Sequence, residues 1–159
     1  MRVSILTISD SVSAGKSEDR SGPSVSSRCQ QLGWEVVSCA VRADDRSEIE
    51  GFLRETADSS AVDLILTTGG TGLGPRDVTP EATTAVIERL IPGFPERMRA
   101  AGAAKTPRAI LSRGTAGIRG TTIIINLPGS PTGAVESLDV FANLLPHSIA
   151  VLHGLHHGS

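Results

Sequence analysis

Short apolar runs alternate with amphipathic stretches along this chain of 159 residues, and the pattern predicts its secondary structure. Four runs rich in Val, Ile and Leu have the length of strands and are too short for helices. They are residues 3–8, 34–41, 62–67 and 121–127, and a weaker fifth strand is predicted at residues 108–112. The run at 62–67 is apolar on both faces, which is typical of a central strand in a parallel sheet.

Apolar residues at helical spacing predict six helices around these strands. They cover residues 22–32, 49–57, 79–91, 96–104, 131–143 and 146–153. Two of them begin with the same signal, because Thr79 precedes Pro80 and Ser130 precedes Pro131. A hydroxyl then caps the helix and proline takes its first position. Strands that alternate with helices predict a three-layer α/β/α fold with a mostly parallel sheet.

Length and composition limit the class of protein. With 39% hydrophobic residues the chain can bury one core, so we expect one domain over residues 1–152 and a loose tail at 153–159. A net charge of −2 without a run of Lys or Arg argues against a nucleic-acid binder. No continuous apolar run approaches the ~20 residues of a membrane span, and no signal peptide precedes the first strand. Cys29 and Cys39 lack zinc-site spacing, so we expect reduced thiols in a cytoplasmic protein.

Ligands of open α/β sheets bind beyond the carboxyl ends of the strands, where this chain has four loops. They are residues 9–10, 42–46, 69–77 and 128–131. The third, which we call the glycine loop, has four glycines within six residues, so its backbone can approach an anion and turn N–H groups towards it. It lacks the Gly-Lys-Ser/Thr ending of a Walker A loop, and Pro75 stands where a dinucleotide-binding loop has its third glycine.

Charged residues beside the glycine loop strengthen the prediction of a phosphate site. Arg76 is a candidate phosphate-binding cation and Asp77 a candidate Mg²⁺ ligand, although Asp77 could instead cap the next helix. Asp44 follows the neighbouring strand and could reach the same ligand or remain a solvated loop charge. Ser130 and Pro131 begin a helix whose N-terminus could bind a second anion or be no more than capped.

The glycine loop and its continuation resemble a family signature. The sequence TTGGTG at residues 67–72, followed by PRDVTPEAT at 75–83, is similar to molybdenum-cofactor biosynthesis proteins of the molybdopterin adenylyltransferase (MogA/MoaB) type. Six further blocks match in family order: residues 8–10, 19–23, 92–94, 111–113, 116–119 and 126–131. Together the blocks cover nearly the whole chain.

This resemblance implies a fold, a reaction and an assembly. The fold would be that of a molybdopterin-binding domain, with a mixed sheet, assembled as a homotrimer or a dimer of trimers. The reaction would transfer AMP from ATP to the terminal phosphate of molybdopterin and release pyrophosphate, with Mg²⁺ as cofactor. Two functional aspartates of the family fall on Asp44 and Asp77, which we predict to be catalytic and to bind Mg²⁺.

The remaining site residues are predicted in two groups. Residues expected to bind the nucleotide and its phosphates are Ser9, Asp10, Gly69, Gly70, Thr71, Gly72 and Arg76. Residues expected to bind molybdopterin are Ser112, Asn126, Pro128, Gly129 and Ser130. Three alternatives stay open: a non-catalytic molybdopterin-binding relative, a nucleotide pyrophosphatase-like domain related to competence-damage proteins, and molybdate insertion, which larger relatives perform. Other proteins of the cofactor pathway are expected partners.

Overall fold

The apolar runs form a six-stranded sheet in the computed structural model, which describes residues 1–155. Its strands are β1 (Arg2–Ile8), β2 (Glu35–Arg42), β3 (Leu64–Thr68), β4 (Arg89–Leu90), β5 (Ala116–Arg119) and β6 (Thr122–Leu127). They lie in the order β2-β1-β3-β6-β5-β4. The first four in this order are parallel, whereas β5 runs antiparallel to β6 and β4 antiparallel to β5. The predicted mixed, mostly parallel sheet is therefore confirmed.

Seven α-helices in the described part of the chain cover the sheet. They are α1 (Asp10–Ser13), α2 (Ser21–Gln31), α3 (Arg46–Asp58), α4 (Thr79–Val86), α5 (Gly93–Ala103), α6 (Pro131–Phe141) and α7 (Leu145–Leu152). Short 3₁₀ helices occupy Pro107–Leu111 and Ala142–Leu144. Residues 156–159, the greater part of the predicted tail, lie outside the described residues.

The sheet has a separate apolar core on each face, as the three-layer prediction requires. Residues of α2, α5, α6 and α7 pack on one face against side chains such as Ile5, Leu66 and Ile125. Residues of α3 and α4 pack on the other face against Leu6, Ile65 and others. Strand β3 is buried along its whole length, which explains why its sequence contains only Leu, Ile and Thr and no charged residue.

The segment Pro131–Leu152 is, within residues 1–155, the one helical stretch long and apolar enough to cross a membrane by length and composition. No continuous apolar run of that length occurs in it, because polar residues such as Glu136 and Asp139 interrupt the apolar ones. In the structure a 3₁₀ turn divides the segment, and Leu138, Phe141 and Leu145 are fully buried. The apolar side chains of this segment therefore form part of the core of the fold.

Two elements were predicted wrongly and three were missed. The helix predicted at residues 79–91 ends at Val86, because Ile87 is extended and β4 then pairs with β5. The strand predicted at residues 108–112 is a 3₁₀ helix that begins at Pro107. The missed elements are α1, β4 and β5, which have only four, two and four residues and so no readable periodicity.

The two predicted helix caps had different outcomes. Ser130 caps α6 as predicted, since its Oγ accepts a hydrogen bond from the Gly133 N–H at 3.0 Å. The hydroxyl cap at Thr79 was wrong, because Thr79 is already the first residue of α4 and Val78 precedes the helix. The Thr79 hydroxyl instead donates to the Gly69 carbonyl at 2.9 Å, which ties α4 to the glycine loop.

Candidate functional site

The carboxyl ends of the parallel strands meet at one edge of the sheet, where the glycine loop leaves β3. The chain goes from β1 to β2 on one side and returns to β3 on the other, so this edge has a topological switch point between β1 and β3. Gly69 and Gly70 continue β3 with φ angles of 105° and 70°, a backbone region that favours glycine. The Thr79 N–H donates to the Gly70 carbonyl at 3.1 Å and holds the loop against α4.

Asp77 closes the far end of the glycine loop. One of its carboxylate oxygens, Oδ2, accepts the Gly74 N–H at 2.9 Å, and the Asp77 N–H donates to the Gly74 carbonyl at 3.0 Å. The loop thus brings its own carboxylate next to its glycines. Within residues 1–155, the N–H groups of Gly70, Thr71 and Gly72 have no hydrogen-bond acceptor. Such a set of open backbone donors is what an anion-binding loop requires.

Three charged residues meet beside the loop. The backbone N–H of Asp10 donates to the Asp44 carboxylate at 2.9 Å, and the N–H of Asp44 donates to the Asp10 carboxylate at 3.0 Å. Arg76 then donates to both oxygens of Asp10, each at 3.0 Å. Ion pairing with Arg76 lowers the pKa of Asp10. Burial, together with the charges of Asp10 and Asp77, raises the pKa of Asp44.

Two cavities open at this edge and share a wall. The larger, of about 530 Å³, extends under α5, the Pro107–Leu111 helix and α6, and has a mainly apolar lining that includes Met98 and Leu111. The smaller, of about 420 Å³, lies between the ends of β1 and β3 and is more polar. Gly70, Asp77 and Gly129 line both cavities, so the glycine loop separates them.

The predicted site residues divide between the two cavities. Those on the larger cavity are Gly70, Thr71, Gly72, Asp77, Ser112, Asn126, Pro128, Gly129 and Ser130. Those on the smaller cavity are Ser9, Asp44, Gly69, Gly70, Asp77 and Gly129. The structure brings neither Asp10 nor Arg76 into a cavity wall, because the two side chains pair with each other at the surface.

Asn126 lies beneath the larger cavity with its amide turned into the fold. The two amide N–H groups donate to the hydroxyls of Thr67 at 3.0 Å and Thr83 at 2.9 Å. The amide oxygen accepts the Thr115 N–H at 3.1 Å. The side chain, 1% exposed, is therefore hydrogen bonded to three neighbouring segments of the protein.

The basic side chains that line the larger cavity were not predicted from the sequence. Arg99 on α5 donates to the carbonyls of Ser112 and Gly114, and Lys105 pairs with Glu136 at 3.0 Å. Arg108 also lines this cavity and has no ion-pair partner within residues 1–155. No motif marked these residues, since they reach the cavity only because α5 and the 3₁₀ helix pack beside the end of β6.

Comparison with known proteins assigns the chain to a family. A family described as a probable molybdopterin-binding domain matches residues 4–147. The chain belongs to this molybdopterin-binding-domain family. Its relatives include proteins named molybdopterin adenylyltransferase from Helicobacter pylori J99, 38% identical over 97% of this chain and 89% of the relative, and from Escherichia coli K12, 38% identical over 94% and 80%.

Solved structures of the family share the whole fold. The molybdopterin biosynthesis enzyme MoaB of Thermus thermophilus superposes with a TM-score of 0.91 at 46% identity and covers 96% of both chains. The predicted membership of the MogA/MoaB type is thereby confirmed. Both cavities lie mostly within the matched residues 4–147, and the glycine loop lies wholly within them.

Proposed function

We propose that this chain is a molybdopterin adenylyltransferase that transfers AMP from ATP to the terminal phosphate of molybdopterin and releases pyrophosphate. The observation that carries the proposal is the shared wall of Gly70, Asp77 and Gly129 between two cavities of different character. A reaction between two large substrates needs two binding sites whose reacting ends meet. The bacterial relatives are named molybdopterin adenylyltransferase, which supports adenylyl transfer to molybdopterin.

We assign molybdopterin to the larger cavity and ATP to the smaller. An apolar lining with Arg99, Lys105 and Arg108 suits a flat pterin that carries a phosphate. The smaller cavity has the polar residues Ser9 and Asp44 and lies at the switch point of the sheet. The open N–H groups of Gly70, Thr71 and Gly72 would then face phosphates at the boundary.

The chemistry at that boundary is an in-line displacement. A terminal phosphate oxygen of molybdopterin attacks the α-phosphorus of ATP, and the bond from that phosphorus to the oxygen shared with the β-phosphate breaks, so that this oxygen leaves with pyrophosphate. The attacking oxygen needs no strong base, because the second pKa of a phosphate monoester is about 6. The protein must chiefly hold the two phosphates together and stabilise their charge, a role that we propose for the open N–H groups of the loop.

Asp44 and Asp77 are proposed to hold Mg²⁺ with the phosphates of ATP. Magnesium commonly binds through one or two carboxylates and completes its shell with phosphate oxygens and water. Asp44 and Asp77 fit this pattern, since both line the smaller cavity. Within residues 1–155, no group of three or more acidic, His or Cys side chains could hold a metal without such help. The bound ion would neutralise charge on the triphosphate.

Assembly and location remain predictions of this proposal. Large exposed apolar side chains give the chain surfaces on which a homotrimer or a dimer of trimers could form; they are Val37, Leu73, Leu90, Ile110, Leu111, Leu144, Val151 and Leu155. We also predict a cytoplasmic protein that does not bind nucleic acid, in keeping with its net charge of −2. Light scattering at several concentrations measures the oligomer directly.

The test is to incubate the purified protein with molybdopterin, ATP and Mg²⁺ and to identify the product by mass spectrometry. We expect adenylyl-molybdopterin and pyrophosphate, with a loss of about 100-fold or more in kcat for Asp77→Asn and Asp44→Ala. Arg119→Ala is the control, because Arg119 pairs with Asp58 away from both cavities.

Each alternative predicts a different product. A binding-only relative would retain molybdopterin and form no adenylyl product at saturating ATP and Mg²⁺. A pyrophosphatase-like domain would release pyrophosphate from nucleotide without molybdopterin. Either result would overturn the proposal.

A further inference from the structure

Arg113 lies against the glycine loop and lines neither cavity. Its Nε donates to the Gly72 carbonyl at 2.9 Å, and its Nη2 donates to the Asp77 carbonyl at 2.8 Å. The backbone N–H of Arg113 donates to the Thr71 carbonyl at 2.8 Å. One residue therefore binds three carbonyl groups of the loop.

The guanidinium of Arg113 is itself fixed by Glu81. Its Nη1 donates to Oε2 of Glu81 at 2.7 Å, and both terminal nitrogens lie 3.2 Å from Oε1. Glu81 is in the first turn of α4, and its hydrogen bonds with Arg113 lower its pKa. A planar guanidinium with five donors can make all these bonds at once, whereas a lysine ammonium cannot.

These bonds set the direction of the loop donors. The C=O and N–H of a trans peptide point in opposite directions, so a carbonyl held towards Arg113 turns the N–H of the same peptide away from it. The Gly72 carbonyl, held by the guanidinium, shares its peptide with the Leu73 N–H, and the Thr71 carbonyl, held by the backbone N–H of Arg113, shares its peptide with the Gly72 N–H. Within residues 1–155 neither of these N–H groups has an acceptor. Gly72 and Thr71 both line the larger cavity.

We infer that Arg113 is a positioning residue whose guanidinium holds the glycine loop in its phosphate-binding conformation through the carbonyls of Gly72 and Asp77. The backbone N–H of Arg113 keeps its bond to the Thr71 carbonyl in every side-chain variant. The inference rests on the proposed function in one respect, namely that this loop binds substrate phosphates. Arg113 acts through the loop and does not touch the substrate. It also fixes the backbone of Asp77 and so the direction of its carboxylate.

The test compares Arg113→Ala and Arg113→Lys with Arg119→Ala. Arg119 is a matched control, because it also makes two bonds to a carboxylate, that of Asp58, and one to a carbonyl, that of Val86. We expect Arg113→Ala to weaken binding of inorganic pyrophosphate and to raise KM for ATP roughly 10-fold to 100-fold, with a further loss in kcat. Arg113→Lys should fall between Arg113→Ala and the wild type, and Arg119→Ala should match the wild type.

Hydrogen–deuterium exchange supplies a readout that needs no activity. Peptides covering residues 69–78 should exchange faster in Arg113→Ala than in the wild type, while peptides of β1 and β3 stay unchanged. Added guanidinium ion at millimolar concentration should restore part of the pyrophosphate binding to Arg113→Ala. A general loss of stability would instead speed exchange throughout and would not respond to guanidinium.

The two failures are distinguishable. If the wild type forms no adenylyl-molybdopterin, the proposed function is wrong. Hydrogen–deuterium exchange and pyrophosphate binding of the variants then still test the positioning role of Arg113. If the wild type is active and Arg113→Ala behaves like Arg119→Ala in both readouts, the positioning role is wrong. If Arg113→Ala does not fold, Arg113→Lys and Glu81→Gln are compared with the wild type instead, since both weaken the interaction between Arg113 and Glu81 and keep the size of the side chain.

Discussion

Asn126 offers a direct test of how the site is supported, and the change we consider is Asn126→Ala. It removes hydrogen bonds to Thr67 on β3, to Thr83 on α4 and to the Thr115 N–H before β5. Asn126 itself is buried. Its hydrogen bonds join β6 to β3 and α4, the two elements that the glycine loop connects, so their loss weakens the contacts that hold both ends of the loop.

The expected cost follows from these bonds. Each hydrogen bond contributes about 1 kcal/mol net, so three of them give a loss of about 3 kcal/mol, and a buried donor left without a partner adds to it. For a chain of this size, 1 kcal/mol corresponds to about 2–4 °C, so the melting temperature should fall by about 6–12 °C. Asn143→Ala is the matched control, because Asn143 is exposed and its loss should stay within about 0.5 kcal/mol.

Urea unfolding measures the free energies, and calorimetry with molybdopterin measures binding. We expect Asn126→Ala to bind molybdopterin more weakly and to be less stable at the same time, because the amide is hydrogen bonded to protein groups and supports the site through them. A variant that melts within about 2 °C of the wild type and yet loses molybdopterin binding would refute this reasoning. The amide would then act on the ligand itself.

Three further predictions follow from groups around the same edge. Because burial raises the pKa of Asp44, its ionised form disfavours the fold above that pKa, so Asp44→Asn should melt at or above the wild-type temperature at pH 7 while losing transfer activity. A melting temperature of Asp44→Asn below that of the wild type at pH 7, measured without Mg²⁺, would contradict this reasoning. Gly70→Ala should lose phosphate binding and stability, because a Cβ at φ 70° would overlap the Thr79 hydroxyl; wild-type pyrophosphate affinity would disprove this. Thiol titration should label exposed Cys39 in the native protein and Cys29 only after unfolding, because burial raises the pKa of Cys29 to about 12; equal labelling rates would contradict the buried position.

The parallel strands could be predicted from the sequence, because burial determines the composition of each strand on its own. Strands β1, β3 and β6 are buried along almost their whole length, so Val, Ile and Leu make up most of their sequences. Ser130 and Pro131 likewise signal a helix start through their own chemistry. The conformation of the glycine loop was predictable from its composition, because few other residues tolerate φ angles such as those of Gly69 and Gly70.

The antiparallel pairing of β4 with β5 could not be predicted from the sequence, because it forms through contacts between residues far apart in the chain. Strand β4 has two residues, and it forms because the chain after α4 lies beside β5, some 30 residues later. Gly117 permits this approach, since a Cβ there would lie 2.6 Å from the Arg89 carbonyl oxygen. The same holds for the bonds from Arg113 to Gly72 and Asp77, whose partners are 41 and 36 residues away. Neither pairing leaves a periodic signal in the sequence.

Asp77 does not cap α4, the alternative considered from the sequence, because no side chain in the described part of the protein caps that helix; its carboxylate orders the glycine loop instead. Its Oδ2 oxygen accepts the Gly74 N–H and so shapes the loop, while Oδ1 makes no hydrogen bond within residues 1–155 and remains available for a ligand. Because both cavities include Asp77 in their walls, one carboxylate can order the loop and contribute charge where the substrates meet. Asparagine keeps an oxygen for the Gly74 N–H and removes the charge, whereas alanine removes both. A large loss of kcat in Asp77→Asn with unchanged exchange of residues 69–78 would therefore assign that loss to the charge at the shared wall.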